Sequence, residues 1–123
     1  MRKVLLVEDE KILRDAYSIL LGAQEGLDVT VANNGQEALD ICGSDTFDLI
    51  LLDLMMPVLN GVGFLQEARL AEKSPRTRVV VMSNLSSGED LLNALALGAH
   101  RHAVKSDLSP NEVIKIVNEE LGL

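Results

Sequence analysis

Short apolar runs alternate with amphipathic segments five times along the chain. Val4–Val7, Leu27–Ala32, Asp48–Leu52, Arg78–Met82 and Arg101–Val104 read as strands. The third and fourth contain Leu49-Ile50-Leu51-Leu52 and Val79-Val80-Val81-Met82. These are apolar at every position, the pattern of strands covered on both faces. Helical spacing predicts helices over 10–22, 35–43, 61–72, 87–97 and 110–121. In the first, Ile12, Ala16, Ile19 and Leu20 share one face and are expected to pack inward. The last has the clearest start: Ser109 as N-cap, Pro110 at the first helical position, and Glu112 completing a Ser-x-x-Glu capping box. Leu108 and Val113 flank that start as a hydrophobic staple. Strand–helix alternation of this kind builds a parallel sheet with right-handed crossovers and helices on both faces.

With 123 residues, 47% of them hydrophobic, the chain reads as one globular domain over 1–123. No linker, repeat or output domain is expected, and Met1 reads as a natural start. Net charge narrows the function. The chain carries −8, and its densest basic stretch is Arg76-Thr77-Arg78. Duplex binding needs a positive surface to neutralise phosphates, so direct nucleic-acid binding is excluded. No run approaches the roughly 18 apolar residues of a membrane span. The apolar start after Arg2-Lys3 stops at Glu8-Asp9-Glu10, too short for a signal sequence. Cys42 is the single cysteine, so no internal disulfide forms, and a cytoplasmic location is expected.

In an open α/β sheet, ligands bind beyond the carboxyl ends of the strands. Strand one runs into Glu8-Asp9, strand three into Asp53, strand four into Ser83-Asn84 and strand five into Lys105. Three carboxylates, a hydroxyl and an ammonium would therefore share one rim. Clustered acids repel, and a hard divalent cation relieves that repulsion; Mg²⁺ favours one or two carboxylates with water and phosphate oxygens. A carboxylate so placed can attack phosphorus to give an aspartyl phosphate, with Lys105 and Ser83 contacting the remaining oxygens.

These residues stand in Val4-Leu5-Leu6-Val7-Glu8-Asp9-Glu10, in Asp53-Leu54-Met55-Met56-Pro57 with Gly61 following, in Val79-Val80-Val81-Met82-Ser83, and in Gly98-Ala99 through Lys105. Over essentially its whole length the chain resembles the receiver domains of two-component response regulators, in particular stand-alone receivers like the chemotaxis regulators. The Asp-x-x-Met-Pro-x-x-x-Gly run is the most specific part. The resemblance implies an α/β, flavodoxin-like, doubly wound five-stranded parallel sheet, order 2-1-3-4-5, with five helices. It implies Asp53 as phosphoacceptor and Asp9 as a direct Mg²⁺ ligand. Glu8 would act largely through water, and Met55 would give its backbone carbonyl to the metal. Ser83 and Lys105 would contact the phosphoryl group. The implied partners are a histidine kinase or histidine phosphotransfer protein as donor and an unnamed target on the helix 4–strand 5–helix 5 face. The chain would be a monomer or a phosphorylation-dependent dimer, catalysing only its own phosphorylation and dephosphorylation.

Two positions depart from the family pattern. Ser106 stands where a cis proline usually follows the lysine; a non-proline cis bond costs roughly 3–4 kcal/mol, so a trans loop of different shape is expected. His102 stands where a Tyr or Phe usually swings inward on activation. Two readings of it are open: an imidazole switch, with pH sensitivity from its near-neutral pKa, or an exposed strand histidine without that role. Among competing functions, a phosphorylation-independent binding module of the same fold is kept alive by Ser106. An aspartate-nucleophile phosphatase would carry a second Asp where Met55 stands. A flavin or nucleotide carrier would place its phosphate against Glu8-Asp9-Glu10, which repel it. Acids at the start of helix one could also act simply on the helix dipole. Met55-Met56 reads as core packing, His100 as a surface residue, and Asn84 as a neighbour of the site.

Overall fold

The computed structural model describes residues 1–84 and 88–123. Five parallel strands, β1 (Arg2–Val7), β2 (Leu27–Ala32), β3 (Leu49–Leu52), β4 (Arg78–Ser83) and β5 (Arg101–Val104), form one sheet in the order β2-β1-β3-β4-β5. The helices are α1 (Lys11–Gly22), α2 (Gly35–Cys42), α3 (Gly61–Ala68), α4 (Glu89–Ala96) and α5 (Pro110–Leu121), with one extra turn at Leu70–Lys73. This is the parallel sheet covered on both faces that the alternation implied, in the doubly wound, flavodoxin-like order that the resemblance implied. The strands lie within two residues of the expected ranges.

The unbroken apolar runs divide residue by residue between two cores. Leu5, Val7, Ile50, Leu52, Val79 and Val81 face Ala38, Phe64, Leu65, Ala68 and Ala94 from α2, α3 and α4. Val4, Leu6, Leu49, Leu51, Val80 and Met82 face Leu21 of α1 and Val113, Ile116, Val117 and Leu121 of α5. Successive strand side chains point to opposite faces, so a strand covered on both sides must be apolar throughout.

Helix starts follow side-chain caps. Asn34 accepts from the Glu37 N–H and Asn60 from the Gly63 N–H, each at 2.8 Å, fixing where α2 and α3 begin. Ser109 accepts from the Glu112 N–H at 3.3 Å, as its sequence signature predicts. The Glu112 carboxylate takes the Ser109 hydroxyl at 3.1 Å, so the box closes between the two side chains. Leu108 packs on the core cluster that holds Val113, as a staple requires.

Three expectations are corrected. The inward face of α1 is Tyr17, Leu20 and Leu21, with Leu20 as expected, whereas Ile12 is 84% and Ile19 74% exposed, and Ala16 is exposed too. The helix carries two apolar stripes, and the bulkier one took the core. The helix expected over 61–72 breaks at Arg69, whose φ of 50° ends α3 before the extra turn. Met55 is exposed while its neighbour Met56 is buried, so the pair does not pack as a unit. The helix expected over 87–97 is observed as α4; its first position lies outside the described residues.

Candidate functional site

Register brings the predicted residues to one rim. Val7 pairs with Leu52, and the Asp53 N–H donates to the Val7 carbonyl at 3.1 Å. Glu8 and Asp53 therefore leave adjacent strands side by side. Ser83 ends β4 opposite Val104, which sets Lys105 one residue further along the same edge. Ser83 is fully buried.

Lys105 is the hub. Its Nζ donates to Glu8 Oε1 in a very close contact and lies 3.1 Å from Asp53 Oδ2. Glu8 Oε2 accepts from the Glu10 N–H at 3.2 Å, using a donor left free at the start of α1. Asp53 Oδ1 accepts from the Met55 N–H at 3.3 Å. Burial of Glu8 (1% exposed) and Asp53 (6%) drives both carboxyl pKa values up, and Lys105 works against that rise in each case. Burial alone would depress the Lys105 pKa, but its contacts with Glu8 and Asp53 outweigh it and hold the ammonium above its ordinary value. One buried cation thus compensates two buried anions.

Oxygens of Glu8, Asp9 and Asp53 lie within 4.8 Å of one another. Octahedral Mg²⁺ at its preferred distance sets neighbouring donors about 3 Å apart and opposite donors about 4 Å apart. Small side-chain adjustments bring the trio to that spacing, and an all-oxygen set suits a hard cation. The donor set fits Mg²⁺.

The Lys105–Ser106 bond is trans, and residues Lys105–Asp107 form a 3₁₀ turn. This turn still delivers the ammonium to both acids. His102 is not a solvent-facing strand histidine. It is half-buried, its Nε2 is enclosed, and that nitrogen has no hydrogen-bond partner among the described residues. His102 pairs with Val81, whose side chain belongs to the core beneath α4. His100 is exposed, as expected, and its Nδ1 accepts from the Val79 N–H at 3.0 Å. Asn84 is exposed next to Ser83.

Two features escaped the sequence reading. Arg14, on α1, donates to the backbone carbonyls of Glu8 and Asp9; nothing in its spacing marks it. Val58 sits in the loop after Asp53 at φ 70°, 79% exposed, where the Leu59 N–H closes a three-residue turn on the Pro57 carbonyl at 2.8 Å. A β-branched residue in this region is strained by about 1–3 kcal/mol. Anchors at both ends, Gly61 N–H to the Leu54 carbonyl and Gly35 N–H to the Leu59 carbonyl, each at 3.0 Å, hold the loop there.

A doubly wound parallel sheet with three acids and a lysine converging at its carboxyl edge defines a receiver-type α/β domain. The family model described as response regulator receiver domain matches residues 4–118, and the chain belongs to that family. It is 36% identical over 119 residues to the nitrate/nitrite response regulator protein NarL of Escherichia coli K12, covering 94% of this chain and 53% of that protein. The chain spans about half the length of the curated relatives it matches. It also resembles the solved receiver domain of Francisella response regulator 1452, at 31% identity and TM-score 0.82, with 99% of this chain and 98% of that one covered. With chemotaxis response regulator CheY4 of Vibrio cholerae it shares 30% identity at TM-score 0.87, covering 98% and 99%. The described part of the chain holds no helix long and apolar enough to cross a membrane.

Proposed function

We propose that the chain takes a phosphoryl group onto Asp53 from a phosphohistidine on a histidine kinase or histidine phosphotransfer protein. The observation that carries this reading is Lys105 Nζ set between Glu8 and Asp53 at the carboxyl edge of the sheet. In the transfer, the donor's N–P bond breaks as an Asp53 oxygen bonds phosphorus, and the electron pair leaves with the imidazole. Asp9, Asp53 and the Met55 carbonyl would hold Mg²⁺ directly and Glu8 would hold it largely through water, and the ion would supply positive charge to the phosphoryl oxygens. Lys105 then turns from the carboxylates toward the transferred group, and the Ser83 hydroxyl contacts another of its oxygens. Ser83 ends β4 and Lys105 follows β5 at the carboxyl edge of the sheet, so their movement reaches the α4–β5–α5 face, where Leu92 and Leu95 are exposed for a protein target. The domain signals in the cytoplasm and binds no nucleic acid itself.

Intact mass after incubation with acetyl phosphate and Mg²⁺ tests this. The parent is expected to gain one phosphoryl group, and Asp53→Ala or a chelator to abolish it. A parent that gains none, and that binds no beryllofluoride, overturns the reading in favour of a phosphorylation-independent module, for which the trans Lys105–Ser106 turn would be the structural reason.

His102 is assigned the switch role on the same face. Its enclosed nitrogen, without a partner among the described residues, is a polar group buried at a cost, and such groups call for a reason beyond packing. Beryllofluoride is expected to shift the α4 amide resonances of the parent and to shift those of His102→Ala far less. Equal shifts in the two proteins would remove His102 from the pathway.

A further inference from the structure

We propose that Arg14 is a positioning residue that aims the Asp9 carboxylate at the cation, an inference that rests on the metal-assisted reading of the site. Between the end of β1 and the start of α1 the backbone carries two carbonyls without a backbone donor among the described residues. Val7 O takes the Asp53 N–H and Glu10 O takes the Arg14 N–H, but Glu8 O and Asp9 O take neither a sheet nor a helix bond. One guanidinium nitrogen, Arg14 Nη1, donates to both, at 3.2 Å and 3.0 Å. These carbonyls belong to the two peptide units that flank the Asp9 Cα. Fixing both planes fixes φ and ψ of Asp9 and hence the direction in which its side chain leaves the backbone.

Asp9 needs this more than its neighbours do. Glu8 is held by Lys105 and the Glu10 N–H, and Asp53 by Lys105 and the Met55 N–H. Among the described residues, no hydrogen bond or ion pair holds the Asp9 carboxylate, although one of its oxygens stands within 4.8 Å of the other two acids. Its aim toward the cation therefore depends on the backbone, and the backbone there depends on Arg14. Groups that orient a metal ligand without touching the metal typically change affinity 10- to 100-fold when removed.

The sign of the effect separates this role from simple electrostatics. Arg14→Gln removes a positive charge near a divalent-cation site, which by Coulomb's law alone tightens Mg²⁺ binding. Loss of aim weakens it. Amide resonances followed through a Mg²⁺ titration, with no phosphodonor present, are expected to show affinity 10- to 100-fold weaker in Arg14→Gln than in the parent. Arg14→Lys keeps the charge and one donor nitrogen on a shorter reach, and its loss is expected to be smaller. Both losses are expected to shrink to within twofold when measured in an Asp9→Asn background, because the effect runs through Asp9. With acetyl phosphate, the Mg²⁺ concentration for half-maximal phosphorylation of Arg14→Gln rises while the rate at saturating Mg²⁺ stays within about threefold.

Unchanged or tighter Mg²⁺ binding by Arg14→Gln overturns the inference, as does an equal loss in the Asp9→Asn background, which would mark a general disturbance of the fold. If Arg14→Gln does not fold, the same comparison is made on Arg14→Lys, where parental affinity is the overturning result. A parent that binds no Mg²⁺ overturns the metal reading and this inference with it. A parent that binds normally while the Arg14 variants do too overturns this inference alone.

Discussion

Lys105→Ala is expected to produce the largest combined loss of stability and chemistry of any single change at the site. Removing the ammonium leaves Glu8 and Asp53 buried against each other with no counter-ion. Breaking a buried pair from one side costs about 3–5 kcal/mol, because a charge stays behind uncompensated. Proton uptake limits that cost. Both carboxyl groups already have pKa values raised by burial, with Lys105 opposing the rise, so its loss raises them further. A carboxyl group raised in the folded state contributes stability that is fully present below the unfolded pKa and is lost as pH rises through the folded pKa. The gap in melting temperature between variant and parent is therefore widest near neutral pH and closes as pH falls through the raised carboxylate range. Mg²⁺ replaces the missing charge, so it is expected to stabilise Lys105→Ala more than the parent. It does not replace the contact to the phosphoryl oxygen, and phosphorylation by acetyl phosphate is expected to fall about 10²- to 10³-fold at saturating Mg²⁺. Thermal melts with and without Mg²⁺ across pH, alongside mass-spectrometric rates, decide it. A variant that melts with the parent in the absence of Mg²⁺ would show that Lys105 does not balance these acids in solution.

The same buried charges explain why so much of the site was legible in the sequence. An acid directly after Leu49-Ile50-Leu51-Leu52 is expensive unless something answers it, and Glu8-Asp9 stand at the end of the neighbouring strand β1 and Lys105 at the end of the edge strand β5. Parallel pairing then brings strand ends together without further information, and the register bears this out from Val7–Leu52 to Ser83–Val104. What stayed hidden depended on rotations and close approaches that spacing does not encode. Helix α1 has two apolar stripes at helical period, and only docking on the sheet decides that Tyr17, Leu20 and Leu21 turn inward and Ile12 and Ile19 outward. That rotation is also what brings Arg14 over the Glu8 and Asp9 carbonyls. The break of α3 at Arg69 has no glycine or proline to announce it.

Gly61 shows how a motif spacing records a backbone contact. A Cβ built on it would lie 2.6 Å from the Asp53 carbonyl oxygen and 2.8 Å from the Leu54 Cα. Both are main-chain atoms, so no rotamer change relieves the clash. The nine residues from Asp53 to Gly61 form a loop that returns onto its own start, closed by the Gly61 N–H on the Leu54 carbonyl, and only a residue without Cβ allows that approach. Gly61→Ala is therefore expected to cost about 3 kcal/mol, the upper end of the range for overpacking, read as a lower urea midpoint at unchanged slope. Its displacement falls on the Asp53 backbone, so phosphorylation by acetyl phosphate should drop under conditions where the variant is fully folded. Gly35→Ala is the matched control. Its Cβ would meet the Leu59 carbonyl oxygen at 2.1 Å, on the far side of the same loop. It is expected to destabilise at least as much but to leave more of the phosphorylation rate per molecule folded. Parental urea midpoint and rate in Gly61→Ala would mean that the loop yields freely, and the glycine would then owe its place to something other than its contact with the phosphoacceptor's own carbonyl.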